Sequence, residues 1–258
     1  MAKIEQTHLD SYKEDGYLLI KEPVLNATLF EKLRNYSDEL FDRVPKKGNG
    51  KAPQLIDCPH WVDPVVFDWL FSDDILDLIE PFTGPDIAIF ASHFLRKPPG
   101  EGKNITWHED SAYWDKMIQP MEVVSINIAI EPQSQGNGCM KVIPGTHVFG
   151  YSDYEPMDDP TGEVFLRKMK PDQIDESKAV YLETEPNQAH IHDARIVHGS
   201  EPNTSSSSRS CFAIRYFSTK CKWMGDPESF HIYLARGKDH AGNSFADPEK
   251  SYKPAGLI

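Results

Sequence analysis

The chain has few cysteines and no motif that would link them. The four cysteines, Cys58, Cys139, Cys211 and Cys221, are widely spaced among 258 residues and form no CxxC pair. This spacing excludes the dense disulfide framework of small secreted domains and the paired cysteines of structural zinc sites. We therefore predict reduced thiols in a cytoplasmic protein.

Long hydrophobic runs and an excess of basic charge are also absent. No segment approaches the ~20 apolar residues that span a bilayer, and residues 1–6 lack the apolar core of a secretory signal. Lysine and arginine number 27 against 40 acidic residues, which gives a net charge of −13. A nucleic acid or an anionic membrane would reward a basic surface, so neither is expected as a partner. The composition does not determine an oligomeric state.

No long linker rich in serine, glycine or proline divides the chain. The serine run 205–208 is short enough for a hairpin loop. A length of 258 residues suits one large domain, so we expect residues 1–258 to form a single domain.

The sequence pattern changes near residue 86. Before it, residues 8–20 predict a short helix that leads into a strand, and Asn26 and Ser72 precede amphipathic helices. After it, apolar residues alternate with a period of two, in strand candidates at 86–96, 104–110, 121–130, 138–143, 179–184, 188–192, 194–199 and 209–218. We therefore predict a mainly β fold: a double-stranded β-helix (a cupin-like jelly-roll) over about 86–220, with a helical buttress over about 1–85.

The strand candidate at 122–130 has one bulky face and one small, partly polar face. Ser125 and Asn127 share the second face. This pattern fits a strand that lines a pocket, and it fits equally an edge strand with one face in water. The segment alone does not decide between them.

An HxD sequence, His108-Glu109-Asp110, is the strongest chemical signal. Side chains alternate along a strand, so His108 and Asp110 would share one face while Glu109 points away. His198 supplies a second imidazole at the end of an apolar strand candidate, and Gly199 follows it. Two histidines and one carboxylate hold non-heme Fe(II) and leave positions open for substrate and O2. A second HxD, at residues 8–10, has no strand pattern and is interpreted as chance.

Several segments together resemble the phytanoyl-CoA dioxygenase family. They cover roughly residues 10–220 and are the segments 15–20, 107–114, 138–147 and 198–200, with an arginine at 209. The resemblance implies an oxygenase with a double-stranded β-helix fold that depends on Fe(II), 2-oxoglutarate and O2.

The resemblance also implies roles for individual residues. His108, Asp110 and His198 would ligate iron and form the catalytic centre. The cosubstrate would be held by Arg209, which would pair with the distal carboxylate of 2-oxoglutarate, and by Ser200, which would hydrogen-bond the same group. Two further cosubstrate positions are His93 and Asn127, although many relatives carry tryptophan at the latter.

Other residues allow competing interpretations. Arg215 faces the same side as Arg209 if residues 210–217 form a strand, so it is the second candidate for the carboxylate, and structural ion pairing is an alternative for both arginines. His190 and His192 are interpreted as pocket-lining or core residues rather than ligands.

The substrate is the least constrained part of the prediction. Loops at 44–60, 111–119 and 150–178 are expected to carry selectivity. Tyr113 and Trp114 follow Asp110 directly and are expected to wall the pocket. Arg96 and Lys97 could receive an anionic group or belong to a solvated basic patch. The acidity of the chain weighs against a CoA thioester.

Such a site suggests one function and three alternatives. The first is hydroxylation, or a related oxidation, of a small organic substrate with release of succinate and CO2. A halogenase would need an open metal position where Asp110 stands. A non-catalytic cupin-like module that binds a metal or metabolite would have no need of Arg209 and Ser200, and a zinc hydrolase would leave Arg209 without a role.

Overall fold

A computed structural model describes residues 2–44, 54–101, 103–156 and 167–252. Asn26 accepts a hydrogen bond from the Leu29 amide and so begins the long second helix, as its sequence predicted. Ser72 precedes the fourth helix without such a bond, because its hydroxyl donates to the Trp69 carbonyl. The helices are α1 (Gln6–Asp15), α2 (Ala27–Arg43), α3 (Phe67–Leu70), α4 (Asp73–Thr83) and α5 (Ser111–Trp114).

Fifteen strands occur in the described part of the chain. They are β1 (Tyr17–Ile20), β2 (Leu55–Asp57), β3 (Ile87–Lys97), β4 (Ile105–His108), β5 (Ile118–Gln119), β6 (Val123–Ala129), β7 (Met140–Val142), β8 (Tyr154–Pro156), β9 (Arg167–Met169), β10 (Val180–Tyr181), β11 (Ala189–Asp193), β12 (His198–Ser200), β13 (Arg209–Ser218), β14 (Lys222–Trp223) and β15 (Tyr233–Arg236).

Two antiparallel sheets form the body of the protein. The major sheet has the order β1-β11-β6-β13-β3-β15, and β2 also pairs with β3. The minor sheet has the order β10-β7-β12-β4. Along the chain, β3, β6, β11 and β13 of the major sheet alternate with β4, β7 and β12 of the minor sheet, which is the arrangement of a double-stranded β-helix. The fold class predicted from the sequence is confirmed.

The predicted limits of the β core, about 86–220, were too narrow. β1 and β2 precede this range and β15 follows it, yet all three pair within the major sheet. They cover the outer strands β11 and β3, whose backbone groups would otherwise be left unpaired. β2 has three residues and β15 four, and runs this short carry little alternation in the sequence.

β6 lines the interior and is not an edge strand. It lies between β11 and β13, and all seven of its residues are buried. Ile126 and Ile128 belong to the main hydrophobic cluster on one face, while Asn127 faces a cavity between the sheets. The small, partly polar face of this strand is therefore the pocket side.

The helices cover the outer face of the major sheet. Trp69 of α3 contacts Phe212 of β13, and Tyr36 of α2 contacts Phe94 of β3, with ring centroids 6.4 and 5.6 Å apart. Side chains from α2, α4, β3, β6 and β13 share one buried cluster. This layer fixes the sheet whose opposite face lines the cavity. Within the described residues, no helix has the length and apolar composition needed to cross a membrane.

Candidate metal centre and cosubstrate cavity

The side chains of His108, Asp110 and His198 converge in the interior. One potential ligand atom from each lies within 4.8 Å of the other two. The His108 Nε2 and His198 Nε2 atoms are 3.6 and 3.8 Å from the same Asp110 oxygen, Oδ1. All three residues are buried. The set can hold one metal ion on one side and leave the cavity side open.

The two histidines meet because their strands are neighbours. β12 pairs with β4, and His198 lies directly opposite His108. Gly199 allows the close approach, since a Cβ atom there would lie 2.8 Å from the Ile105 carbonyl oxygen. His198 begins its strand, whereas the sequence placed it at the end of one. Residues 194–196 form a turn instead.

Asp110 reaches the metal centre in a different way from the one predicted. β4 ends at His108, and Asp110 has helical dihedral angles, φ −57° and ψ −38°, at the start of α5. Strand alternation therefore does not place its carboxylate. The turn into α5 brings the carboxylate back toward His108, so the predicted convergence occurs without the predicted strand.

Hydrogen bonds fix the orientation of both imidazoles. The Nδ1 atom of His108 lies 2.8 Å from the Thr106 carbonyl oxygen, and that of His198 lies 2.9 Å from the Ile196 carbonyl oxygen. A carbonyl can only accept, so each Nδ1 carries a proton and each Nε2 presents a lone pair toward Asp110. Burial and the neighbouring His108 lower the pKa of His198 to about 4, which keeps its imidazole neutral at pH 7.

Arg215 supports the negative charge of Asp110. Burial of Asp110 raises its pKa, but the Arg215 guanidinium and the two histidines oppose this, and the pKa lies well below its usual range. The Arg215 Nη2 atom is 3.3 Å from Asp110 Oδ2. The oxygen that faces the histidines is the other one, Oδ1, so the ion pair leaves that oxygen available to a metal.

A second polar contact holds Arg215 in place. Its Nη1 atom donates to His93 Nδ1, and His93 Nε2 lies 2.7 Å from Asp57 on β2. Arg215 was the second candidate for the 2-oxoglutarate carboxylate, and the structure places it beside Asp110 and His93 instead.

Glu109 points away from the metal centre. Its carboxylate accepts two hydrogen bonds, from the amide and the hydroxyl of Ser152, each 3.0 Å long. Burial raises the pKa of Glu109. Its side chain points away from the side where His108 and Asp110 converge, as predicted, although β4 ends at His108 and strand alternation does not extend to Glu109.

A cavity of about 190 Å³ opens beside the three converging residues. We call it the central cavity. It lies between the sheets, and both sheets contribute polar and apolar side chains to its lining. It is lined by Leu55, His93, Leu95, Ile105, His108, Asp110, Tyr113, Trp114, Asn127, Met140, His192, His198, Gly199, Ser200, Arg209, Ala213 and Arg215.

Arg209 is buried in the wall of the central cavity. Its Nε donates to Gln133 Oε1 at 2.8 Å, and Gln133 Nε2 is 3.4 Å from Asn127 Oδ1. Its two terminal nitrogens make no hydrogen bond to the described residues. A guanidinium held through Nε with its outer edge free is suited to bidentate recognition of a carboxylate.

The connection from His198 to Arg209, which includes the serine run 205–208, is not the hairpin loop that the sequence suggested. β12 belongs to the minor sheet and β13 to the major sheet, so the connecting loop crosses between sheets. Ser200 and Arg209 therefore lie on different sheets, and both line the central cavity.

Arg96 and Lys97 point in opposite directions from the end of β3. Arg96 pairs with Asp38 and lies over the Phe41 ring, both on α2, outside the lining of the central cavity. Lys97 is buried and donates to the Ser200 hydroxyl at 2.7 Å. Neither residue lies in a solvated basic patch.

Apolar and aromatic side chains form the remaining wall. Tyr113, which is 45 % exposed, and the half-buried Trp114 extend from α5 beside Asp110. Residues 45–53 and 157–166, parts of two loops predicted to carry selectivity, lie outside the described residues.

His190 and His192 are buried on β11, and no nitrogen of either has a hydrogen-bond partner within the described chain. Burial and Arg209 lower the pKa of His190 to about 3. His192 lines the central cavity, with its ring centroid 5.4 Å from that of His198. Neither residue belongs to the converging set.

No pattern in the sequence singled out Gln133, Leu55 or Met140. Gln133 lies outside every strand and reaches Arg209 through tertiary contact. Met140 belonged to a recognised motif but carried no chemical signal of its own. The polar face formed by Ser125 and Asn127 on β6 was the pattern from which further residues of the pocket could have been sought.

Comparison with known proteins agrees with the site. A family model described as phytanoyl-CoA dioxygenase matches residues 12–211. Human peroxisomal phytanoyl-CoA dioxygenase is 26 % identical over 236 residues, which cover 83 % of this chain and 68 % of that protein. A probable alpha-ketoglutarate-dependent hypophosphite dioxygenase of Stutzerimonas stutzeri is 27 % identical over 199 residues, 72 % of this chain and 68 % of that protein.

A solved structure shows the same fold. The non-heme monooxygenase ThoJ in its apo form superposes with a TM-score of 0.72 at 19 % identity, covering 96 % of this chain and 88 % of that one. The match over residues 12–211 spans well over half of the sequence. The chain therefore belongs to the phytanoyl-CoA dioxygenase family and is a dioxygenase that uses Fe(II), 2-oxoglutarate and O2.

Proposed function

We propose that this dioxygenase hydroxylates a small organic substrate at the central cavity. In this proposal His108, Asp110 and His198 hold the iron, and Arg209 and Ser200 hold the distal carboxylate of 2-oxoglutarate. The observation that carries it is the convergence of three potential ligand atoms within 4.8 Å, at the wall of a cavity that also contains the free edge of Arg209.

Each residue in the proposal has a defined task. The two imidazoles offer Nε2 lone pairs because their Nδ1 protons are held by backbone carbonyls. Arg215 keeps Asp110 ionised and fixes the oxygen that faces away from the histidines. Bound iron would supply the redox chemistry that activates O2 while 2-oxoglutarate loses CO2 to become succinate.

The size and lining of the central cavity favour a small substrate. Pockets for drug-sized ligands usually occupy about 300–1,000 Å³, whereas this cavity measures about 190 Å³ and must also admit the cosubstrate. Tyr113 and Trp114 would contact the substrate beside the metal. The named relatives act on phytanoyl-CoA and on hypophosphite, and the small cavity favours a compact substrate over a CoA thioester.

Product analysis with ¹⁸O₂ tests the proposal. Hydroxylation places one oxygen atom in the substrate and one in succinate, so labelled product and labelled succinate should appear in equal amounts. Desaturation would label succinate alone. Absence of succinate release with every tested metabolite would favour the non-catalytic binding module.

Halogenation is less consistent with the structure. A halide would need the metal position that the Asp110 carboxylate occupies in the converging set. With Asp110 buried and paired to Arg215, that position is filled by a charged oxygen ligand.

We also propose that the chain forms one domain. The main hydrophobic cluster joins residues of α2 and α4 to residues of β3, β6 and β13, so the helical part and the β core share one interior. We propose a cytoplasmic location as well. All four cysteines are unpaired and buried, which agrees with the reduced thiols predicted from the sequence.

Glu109→Gln should leave iron affinity nearly unchanged. The Glu109 carboxylate bonds Ser152 rather than the metal centre, and glutamine retains its shape and one acceptor oxygen. Iron bound per protein after anaerobic dialysis gives the measurement. A large loss of iron would place Glu109 in the ligand set and overturn the assignment of Asp110.

A further inference from the structure

Lys97 is a buried cation next to the central cavity. Its residue exposure is 3 %, and its ammonium group donates to the Ser200 hydroxyl at 2.7 Å and to the Glu201 carbonyl at 2.6 Å. Buried lysines are usually paired with a carboxylate. Lys97 forms no ion pair within the described part of the chain.

The side-chain carboxylate of Glu201, next to Ser200 in the sequence, already has other partners. Glu201 accepts hydrogen bonds from Lys141 at 3.0 Å and from the Tyr181 hydroxyl at 3.1 Å. Only its backbone oxygen faces Lys97. Arg209 likewise has no carboxylate partner among the described residues, so two buried cations lie near each other without a bonded anion. This arrangement is costly unless a ligand supplies the missing charge.

The contact with Lys97 sets the direction of the Ser200 hydroxyl. Because the Ser200 oxygen accepts from an ammonium group, its own proton is left to donate elsewhere. Ser200 lines the central cavity, while Lys97 lies behind it. The proton of Ser200 is thus available to an acceptor inside the cavity.

We propose that Lys97 is a positioning residue for the cosubstrate: it turns the Ser200 hydroxyl toward the distal carboxylate of 2-oxoglutarate, and binding of that carboxylate draws a proton onto Lys97. This inference rests on the proposed placement of 2-oxoglutarate against Arg209 and Ser200. Lys97 was a candidate substrate-binding residue in the sequence analysis, and this inference assigns it to the cosubstrate site instead. That site then contains two cations, Arg209 and Lys97.

The groups around Lys97 allow its charge to change. Burial, and then the Arg209 charge, lower the pKa of Lys97 to about 7. The other groups that face it are Cys211 on β13, Cys139 before β7 and Glu201 after β12. Burial raises the pKa of Cys139 to about 11, so its thiol is neutral at pH 7.

The direction of the pH effect follows from this pKa. With its pKa lowered to about 7, Lys97 exists in both neutral and protonated forms near neutral pH when no ligand is bound. A bound carboxylate favours the ammonium form, so the pKa rises on binding and the protein takes up a proton. Affinity for 2-oxoglutarate should be nearly constant below about pH 6 and should fall as the pH rises through 7 until the pKa of the bound state is passed.

Calorimetry of the metal-loaded protein measures this proton directly. 2-Oxoglutarate is titrated into Mn(II)-loaded protein at pH 7, in buffers that differ in ionisation enthalpy. Wild-type protein should take up a measurable fraction of a proton per cosubstrate bound, because part of Lys97 starts neutral. Lys97→Met should take up none and should bind roughly tenfold more weakly, the typical effect of losing one charged hydrogen bond. This deficit should shrink as the pH rises above that pKa.

Two further variants separate charge from structure. Lys97→Arg keeps a permanent charge, so it should retain affinity for 2-oxoglutarate while losing the proton uptake. Lys141→Met is the matched control, since Lys141 has its own carboxylate partner, Glu201, and lies outside the cavity lining. Its proton uptake should equal that of the wild type.

The outcomes distinguish this inference from the proposed function. Proton uptake that persists in both Lys97 variants, or that is absent from the wild type at pH 7, overturns the role of Lys97. If Arg209→Ala also leaves 2-oxoglutarate binding intact, then the placement of the cosubstrate itself is wrong. A pH-independent loss of affinity in Lys97→Met would show a merely structural lysine and would also overturn the inference.

Discussion

Asp110→Ala should abolish oxygenase activity and most iron binding. Asp110 offers the one carboxylate in the converging set, and its partners are already arranged around it: both histidines face Oδ1 and Arg215 faces Oδ2. Loss of a residue that merely supports a metal ligand lowers metal affinity about 10–100-fold. Removal of the ligand itself should exceed that range.

The variant also separates metal loss from misfolding. Arg215 would lose its carboxylate partner but keep its bond to His93, so the β13 strand should remain folded. Iron content and succinate release are measured beside the circular dichroism spectrum. A folded Asp110→Ala protein with full activity would remove Asp110 from the site. Halogenated product formed by this variant in chloride would show that the fold permits halogenation once the position is open.

Arg209→Ala should raise the 2-oxoglutarate requirement by two or more orders of magnitude. Removing one partner of a buried ion pair typically costs about 3–5 kcal/mol, and about 1.4 kcal/mol corresponds to a factor of ten. Iron affinity should stay close to normal, because Arg209 bonds Gln133 and contacts none of the three converging residues. The measurement is the dissociation constant of 2-oxoglutarate, with iron content determined in parallel.

Arg215→Ala is the control for this assignment. Arg215 bonds Asp110 and His93, so its loss should act on the metal centre and leave the dissociation constant of 2-oxoglutarate much less changed than Arg209→Ala does. Loss of cosubstrate binding in Arg215→Ala alone would assign the carboxylate to Arg215. An unchanged dissociation constant in both variants would leave the metal-binding module as the better account.

The sequence was most informative where chemistry and periodicity coincided. His108 was identifiable from the HxD sequence, and His198 from its place at the end of an apolar strand candidate followed by Gly199. Their direct cross-strand pairing was not predicted and is seen only in the structure. Asn127 was suggested by the polar face of β6. Alternation over seven residues is a strong signal, and the structure shows the corresponding strand at the centre of the major sheet.

The local backbone geometry at Asp110 and the long-range side-chain contacts could not be predicted from the sequence. Asp110 adopts helical dihedral angles two residues after β4 ends, because the turn into α5 begins there. Lys97 and Arg96 look alike in sequence, yet alternation sends one to Ser200 and the other to Asp38. Gln133 lies 76 positions from Arg209, and its contact depends on how β6 and β13 pair. Such contacts are set by tertiary structure and leave no local pattern.

The visible spectrum of the anaerobic protein tests the central claim most directly. Fe(II) and 2-oxoglutarate are added separately and then together to wild-type protein, Asp110→Ala and Arg209→Ala. The wild type should develop a metal-to-ligand charge-transfer band only when both are present, because the cosubstrate must chelate iron held by His108, Asp110 and His198. Asp110→Ala should give no band, and Arg209→Ala should give one only at much higher 2-oxoglutarate. A wild-type protein that binds iron and 2-oxoglutarate but shows no band would contradict the account.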